Sequence, residues 1–377
     1  MQDFSKNNFI KNWWRGIDQQ TITALAILIG FSLMLVTTTS SAVAEKIGLT
    51  DNYFSSRQVL HLLVASAFVL IFSSLEKKWI KRLGILGFLF SIVMLVLVKF
   101  YGYEVKGATR WIKIAGFSYQ PSEFIKPFFA IVTGWILSLG YEENFPSFRA
   151  CIILYGIVAS LLIIQPDFGM LVLITAVFGT QLFVAGLPII WLFLAVIGSF
   201  FGTISAYFFL PHVTSRINSF LDPENSENYQ VVKSILAFER GGLYGRGPGE
   251  GAIKQHLPDS HTDFIFAVAG EEFGAIICIM LISVFAFIVL RTLIHLNSEN
   301  DKFVQLASVG IITQFGLQAT INMGVTLNLL PTKGMTLPFI SYGGSSTLAI
   351  ALAVGMLLGL TKRKTSLVKY KMQNIDI

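Results

Sequence analysis

"HTDFIFAVAGEEFG", residues 261–274, runs directly into "AIICIMLISVFAFIVL", residues 275–290, and the second stretch decides what the first belongs to. The apolar run extends from about residue 264 to 294 and is long enough to cross the roughly 30 Å hydrocarbon core of a bilayer as a helix. Asp263 stands at its mouth, and Glu271 and Glu272 follow two turns deeper. On a helix starting near Asp263, Glu271 lies about 12 Å deeper and rotated by about 80°, while Glu272 is rotated by about 180°. The three acids therefore cannot form one cluster. Asp263 reads as a solitary acid at the membrane–water boundary, with Glu271 and Glu272 meeting polar groups on neighbouring helices.

Nine further apolar runs repeat the signal, near 21–43, 57–75, 83–100, 123–140, 148–165, 168–187, 189–210, 304–326 and 338–360. The whole chain of 377 residues is 54% hydrophobic and 13% charged, against about 25% charged in a soluble domain. This is the composition of an all-α polytopic membrane protein with about ten transmembrane helices. Residues 1–20 and 361–377 then form tails around a single membrane domain, 21–360. "SSAVAEK", closing the first run, resembles a signal-peptidase site, but the run exceeds a usual signal core and is read as uncleaved. The net charge of +6 speaks of topology and anionic lipid rather than nucleic acid. Cys151 and Cys278 both fall inside apolar runs, which leaves no disulfide framework and no paired-cysteine metal motif.

Counting Lys and Arg places both termini in the cytoplasm by a modest margin. Parity then gathers nearly all unusual polar sequence on the outer face, including a long loop at about 211–263. Within it, "YQVVKSILAFERGGLYG" carries Val231, Ile235, Leu236 and Phe238 at helical spacing, the pattern of a helix on the membrane surface. "GGLYGRGPGEG" after it is either a flexible turn or a backbone nest for an anion. No Walker lysine closes it. At the other outer segment a helix is predicted to start at Pro121-Ser122-Glu123. Glu123 and Lys126, three residues apart, share its face. Such a pair at membrane depth marks a functional cavity or locks two helices together. Gly270 and Gly274, like Gly355 and Gly359, are spaced for close helix contact. His256, His261 and Asp263 lack the spacing of a zinc site. Asp263 with a substrate phosphate suits a hard divalent cation better.

An outer cavity near Arg110, Lys126, Arg216, Lys233, Arg240, Arg246, Lys254 and Lys333 suits a lipid-linked phosphate or pyrophosphate, whose tail needs a groove between helices. One carboxylate to take a proton and cations to steady a leaving group would make it an enzyme. Without such chemistry it would be a transporter. The residues alone leave both open.

"GATRWI" (107–112), "QPSEFIKP" (120–127), "QPDFG" (165–169), "RINSFLDP" (216–223), "LPDSHTDFIFAVAGEEFG" (257–274) and "LPTKGMTLPFISYGGSS" (330–346) together closely resemble the SEDS family, in order and in register. The last string and "GRGPGEG" look like its cell-division branch more than its elongation branch. The resemblance implies a SEDS-type bundle with a large extracytoplasmic loop between helices 7 and 8. It implies a peptidoglycan glycosyltransferase that polymerises lipid II into glycan strands, inverting at the donor anomeric carbon. The implied general base is Asp263, supported by the Glu123–Lys126 pair. The implied substrate-binding set is Arg110, Trp111, Arg216, Gln230, Arg246, His261, Lys333 and Ser341. The expected cofactor is Mg2+ or Mn2+ with Asp263 as a possible ligand, and no organic cofactor. The expected partners are a class B penicillin-binding transpeptidase and other division proteins of the bacterial cytoplasmic membrane, with the septum as the place of action. A lipid II flippase, an elongation polymerase and a recruiting scaffold are the rival readings.

Overall fold

The computed structural model describes residues 11–105, 108–114, 117–142, 145–209, 213–214, 217–218, 220, 229–331 and 334–362. Its elements are α1 Gln19–Lys46, α2 Tyr53–Ser74, α3 Lys77–Tyr101, β1 Tyr103–Val105, β2 Ala108–Ile114, β3 Phe117–Tyr119, α4 Pro121–Glu142, α5 Ser147–Ile164, α6 Phe168–Val184 and α7 Ile189–Phe209. They continue with α8 Tyr229–Gly241, a 3-10 turn at Ile253–Gln255, α9 Ile265–Asn297, α10 Lys302–Thr326 and α11 Gly344–Leu360. Among the described residues, eight helices are long and apolar enough to cross a membrane, and α6 and α11 are shorter apolar helices. The polytopic helical architecture is the one the apolar runs predict.

Burial sorts the helices into layers. α4, α10 and α11 are buried on nearly every face, whereas α2, α3 and α5 turn rows of Leu, Ile and Phe outward. α4 packs between α3 and α10, and α11 packs along α2. The second contact is close because Gly355 and Gly359 have no side chain. A Cβ on Gly355 would stand 3.1 Å from Phe68 O, and one on Gly359 would stand 2.8 Å from Phe72 O. This is the small-residue contact expected from their spacing.

Two local departures position the site. The first is a three-stranded antiparallel sheet, β1-β2-β3, in a stretch the sequence reading treated as loop. Its middle strand reads T-R-W-I-K-I, a two-residue alternation that sends Ile112 into a small cluster with Met94 and Val98 of α3. The sheet is thereby stapled to the end of α3, and it carries Arg110 and Trp111 over the bundle.

The second is a break inside α9 at Gly274, whose φ of 78° and ψ of 178° are not helical. The loop after α8 fills the break. Arg246 N donates to Glu271 O (3.0 Å) and Gly247 N to Glu272 O (3.0 Å), while Ala275 N donates to Gly242 O (2.9 Å). Backbone freed at membrane depth must find partners within the protein, and here the glycine loop supplies them. Gly270 and Gly274 do allow close approach, as their spacing implies, but to α8 and its loop. A Cβ on Gly270 would overlap the Phe238 ring, and one on Gly274 would lie 2.4 Å from Leu243 O. α8 is helical as predicted, yet it is docked on α9 with Val231, Ser234, Ala237 and Gly241 buried.

Candidate active site

α4 begins at Pro121, as the sequence predicts, because proline's fixed φ and missing N–H suit a first helical position. One turn on, Lys126 Nζ donates to Glu123 Oε2 at 2.8 Å, and the lysine side chain is only 1% exposed. The expected ion pair is therefore made, deep in the bundle. A buried ammonium retains its charge only if its other protons also find acceptors. Gln318 Oε1 of α10 accepts a second hydrogen bond from Lys126 at 2.8 Å.

Asp263 is half-buried in the turn just before α9. Its backbone neighbourhood is clamped from one strip of chain and one helix. Tyr342 N donates to His261 O (2.9 Å), Ser341 Oγ to Thr262 O (2.6 Å) and Asn322 Nδ2 to Asp263 O (2.8 Å). Three consecutive carbonyls of the acid's turn are thus each held by a different donor. The strip is itself fixed, since Leu337 N donates to Ser341 Oγ at 2.7 Å and Asn322 Nδ2 also reaches Met335 O. Gly334 lies directly against the carboxylate: a Cβ there would come within 2.8 Å of Asp263 Oδ2.

Aromatic rings wall the other side. The His261 ring packs at a tilt against Phe54 and Tyr342, with centroids 4.6 and 5.4 Å away, and His61 lies 5.6 Å from Tyr342. Burial pushes the Tyr342 phenol above its ordinary range, with the nearby Arg57 opposing, so the ring stays protonated at neutral pH.

Arg110 on β2 reaches the turn between α5 and α6, donating to Pro166 O at 2.5 Å with a guanidinium nitrogen 3.9 Å from Asp167 Oδ1. Asp167 in turn accepts from Ser122 Oγ at 3.4 Å, next to Glu123 in α4. Ser345 Oγ donates to Ser118 O (2.7 Å) and ties the sheet to the start of α11. Trp111 is half-buried on the opposite face of β2 from Arg110. The structure therefore joins Arg110, the Glu123–Lys126 pair, Asp263, His261 and Ser341 through α4, α10 and the strip at 334–346.

Gln230 and Arg246 stand apart from this group. Gln230 lies in the first turn of α8, and Arg246 sits on the glycine loop two turns along α9 from Asp263, its side chain exposed. Arg216 and Lys333 lie outside the described residues. Glu271 and Glu272 are separate from Asp263, as helix geometry requires, but their partners come from the loop rather than from neighbouring helices. Ala252 N and Ile253 N donate to the Glu271 carboxylate at 2.9 and 3.0 Å. Lys254 Nζ donates to Glu272 Oε1 at 2.6 Å and to Thr38 O of α1 at 2.9 Å. Lys254 is thus a buried structural cation. The segment after the glycines does cradle an anion with backbone N–H groups, and that anion is the protein's own Glu271.

The sequence reading missed Gln318, Asn322, Asp167 and Thr336. Gln314, Gln318 and Asn322 are spaced four apart on α10, and all three are buried. An amide stripe at that spacing inside an apolar run was the available signal.

A sequence model of the FtsW/RodA/SpoVE family, described as cell cycle proteins, matches residues 19–366. The chain is 42% identical over 354 residues to a Caulobacter vibrioides protein named "Probable peptidoglycan glycosyltransferase FtsW", covering 93% of this chain and 91% of the relative. A protein of the same name from Allochromatium vinosum is 37% identical over 363 residues, covering 91% and 90%. Among solved structures, a chain of a peptidoglycan synthase complex that coordinates polymerization and crosslinking superposes with a TM-score of 0.77 at 23% identity, covering 92% of this chain and 98% of that one. The rod shape determining protein RodA of Thermus thermophilus superposes with a TM-score of 0.68 at 22% identity, covering 92% and 97%. At these identities the two structures speak for the fold.

Proposed function

The chain belongs to the FtsW/RodA/SpoVE cell cycle protein family, and from that premise we propose that it is a peptidoglycan glycosyltransferase polymerising lipid II during cell division. Its relatives of known name support the activity and the division role. The observation that carries the chemistry is the placement of Asp263, a half-buried acid at the start of a membrane helix, with its backbone clamped and a glycine beside its carboxylate.

The reaction follows from that placement. The acceptor's sugar hydroxyl is a weak acid, so its attack on the donor's anomeric carbon needs proton removal as the new C–O bond forms. Asp263 takes that proton. The bond from the anomeric carbon to the pyrophosphate breaks in the same step, and the lipid pyrophosphate leaves with the electron pair. One displacement inverts the anomeric centre, so a single base suffices. The buried Glu123–Lys126 pair stiffens the floor of the site, and Arg110 braces the sheet above it. The termini lie in the cytoplasm and Asp263 faces the outside, where the sugar is in water and the tail in lipid.

A divalent cation, when bound, would be held here by the Asp263 carboxylate. Among the described residues no three His, Cys, Asp or Glu side chains come together to hold a metal. Asp263 offers one carboxylate, which matches Mg2+ bound by a carboxylate, waters and substrate phosphates. Such an ion would neutralise charge on the pyrophosphate. The crosslinking partner is a membrane-anchored class B transpeptidase, and the place of action is the septum.

The test is a reconstituted assay of the purified full chain with its transpeptidase partner, Mg2+ and lipid II. Glycan polymer, resolved by length on a gel, is the expected product. Translocation of lipid II across vesicles without polymer would instead identify a flippase.

A further inference from the structure

The two charged features of the site sit on different elements, the Glu123–Lys126 pair on α4 and Asp263 before α9. What connects them is a pair of uncharged amides one turn apart on α10. Gln318 uses both ends of its side chain. Its Oε1 accepts from Lys126 Nζ at 2.8 Å, and its Nε2 donates to Thr336 O at 3.1 Å. Asn322 donates twice, to Met335 O and to Asp263 O. Met335 and Thr336 are adjacent in the chain, so hydrogen bonds joined by this short length of backbone form one path: Glu123, Lys126, Gln318, the Met335–Thr336 backbone, Asn322, Asp263. Ser346 Oγ braces the path, lying 2.5 Å from Thr336 Oγ1 and 3.4 Å from Gln318 Nε2. Gln318 and Asn322 are 1% exposed, so water has little access to replace a lost partner.

Residue chemistry explains why amides stand here. The carbonyls at 263, 335 and 336 need donors, and Lys126 needs an acceptor. Gln318 meets both demands within one side chain, and Asn322 bridges two carbonyls without adding charge to a site that already holds a buried ion pair. The neighbours also fix the orientation of each amide. Asn322 faces two carbonyl oxygens through its nitrogen, and Gln318 faces an ammonium through its oxygen.

We propose that Gln318 and Asn322 are positioning residues, a two-rung ladder through which the Glu123–Lys126 pair sets the position of the Asp263 base. The ladder touches backbone and lysine rather than substrate, so it governs the rate of the chemical step and leaves lipid II affinity alone. This inference rests on the reading of Asp263 as general base.

The test uses two uncharged variants of similar size in the full chain, Asn322→Leu and Gln318→Met, each of which removes the donors without adding charge, with Asp263→Asn alongside. Initial polymerisation rates against lipid II concentration separate kcat from KM, and lipid II binding and thermal melting are measured on the same preparations. A displacement of about 1 Å in a reacting group costs on the order of 100-fold in rate. The ladder predicts that kcat per folded protein falls by roughly 10- to 100-fold in both variants, with KM and lipid II binding close to those of the parent, and with the lower melting temperature expected when buried hydrogen-bond partners are lost. Wild-type kcat in both variants, with Asp263→Asn inactive, would leave the base in place and overturn the ladder. Activity lost only in proportion to lost folded protein or lost lipid II binding would also overturn it. Near-normal polymer from Asp263→Asn would instead remove the base on which the ladder is argued.

Discussion

Lys126 shows how charge can be carried into a membrane bundle when a carboxylate and an amide oxygen both accept from it. Its partner at Glu123 was legible from three-residue spacing on a predicted helix. Its second partner was not, because Gln318 lies 192 positions away in the chain and nothing in an apolar run marks which amide will meet which cation. The pair makes a directional prediction. Removing one member of a buried pair typically costs about 3–5 kcal/mol, because an uncompensated charge is left behind. Lys126→Ala strands the Glu123 carboxylate and the Gln318 oxygen together. It is therefore expected to lower the melting temperature in detergent more than the double change Glu123→Gln/Lys126→Met. Equal losses would mean that the two residues do not stabilise each other. Asp263 was legible as a boundary acid for a similar reason, since the chain places it between a polar loop and an apolar run. The clamp on its backbone was hidden, because the donors come from positions 322, 341 and 342.

At the scale of elements, apolar length alone located the membrane helices, since only a helix satisfies its own backbone in lipid. It failed where backbone partners come from elsewhere. α11 begins at Gly344 rather than near 338, because residues 338–343 are spent on the turn that reaches the Asp263 backbone, with Phe339 held at a φ of 62°. The small sheet was overlooked because β1 and β3 are three residues each and the two-residue alternation is confined to β2. The break in α9 was read as a helix-contact pair of glycines, although Gly274 serves a sharper purpose. Its φ is positive, and a Cβ there would lie 2.4 Å from both Gly245 N and Leu243 O, which leaves no room for a side chain. Gly274→Ala is expected to prevent docking of the glycine loop and greatly reduce the folded yield. Gly198→Ala in α7, with nothing within 4 Å, provides the contrast and should melt like the parent. Equal melting of the two variants would mean that the break is not a structural requirement.

For the whole molecule, the bundle divides labour between its ends. At the end that carries the N-terminal segment, Asp18 pairs with Arg291, tying the start of α1 to the last turns of α9, and Lys77 pairs with Asp301, tying the start of α3 to that of α10. The other end carries Asp263, the sheet and the glycine loop. A division role predicts that depleting the protein gives filaments with unfinished septa, scored by microscopy, whereas rounded cells that still divide would point to wall elongation. The central claim is narrower than the role: one carboxylate removes the acceptor's proton. Asp263→Asn keeps the shape of the side chain and discards its basicity, while Asp259→Asn, four residues earlier in the same loop, discards a charge that the reaction does not use. The deciding measurement is glycan polymer formed from lipid II by these two variants, purified with the transpeptidase partner at matched amounts. The account predicts no polymer from Asp263→Asn despite parental melting and lipid II binding, and a mild effect from Asp259→Asn; near-normal polymer from Asp263→Asn would contradict it.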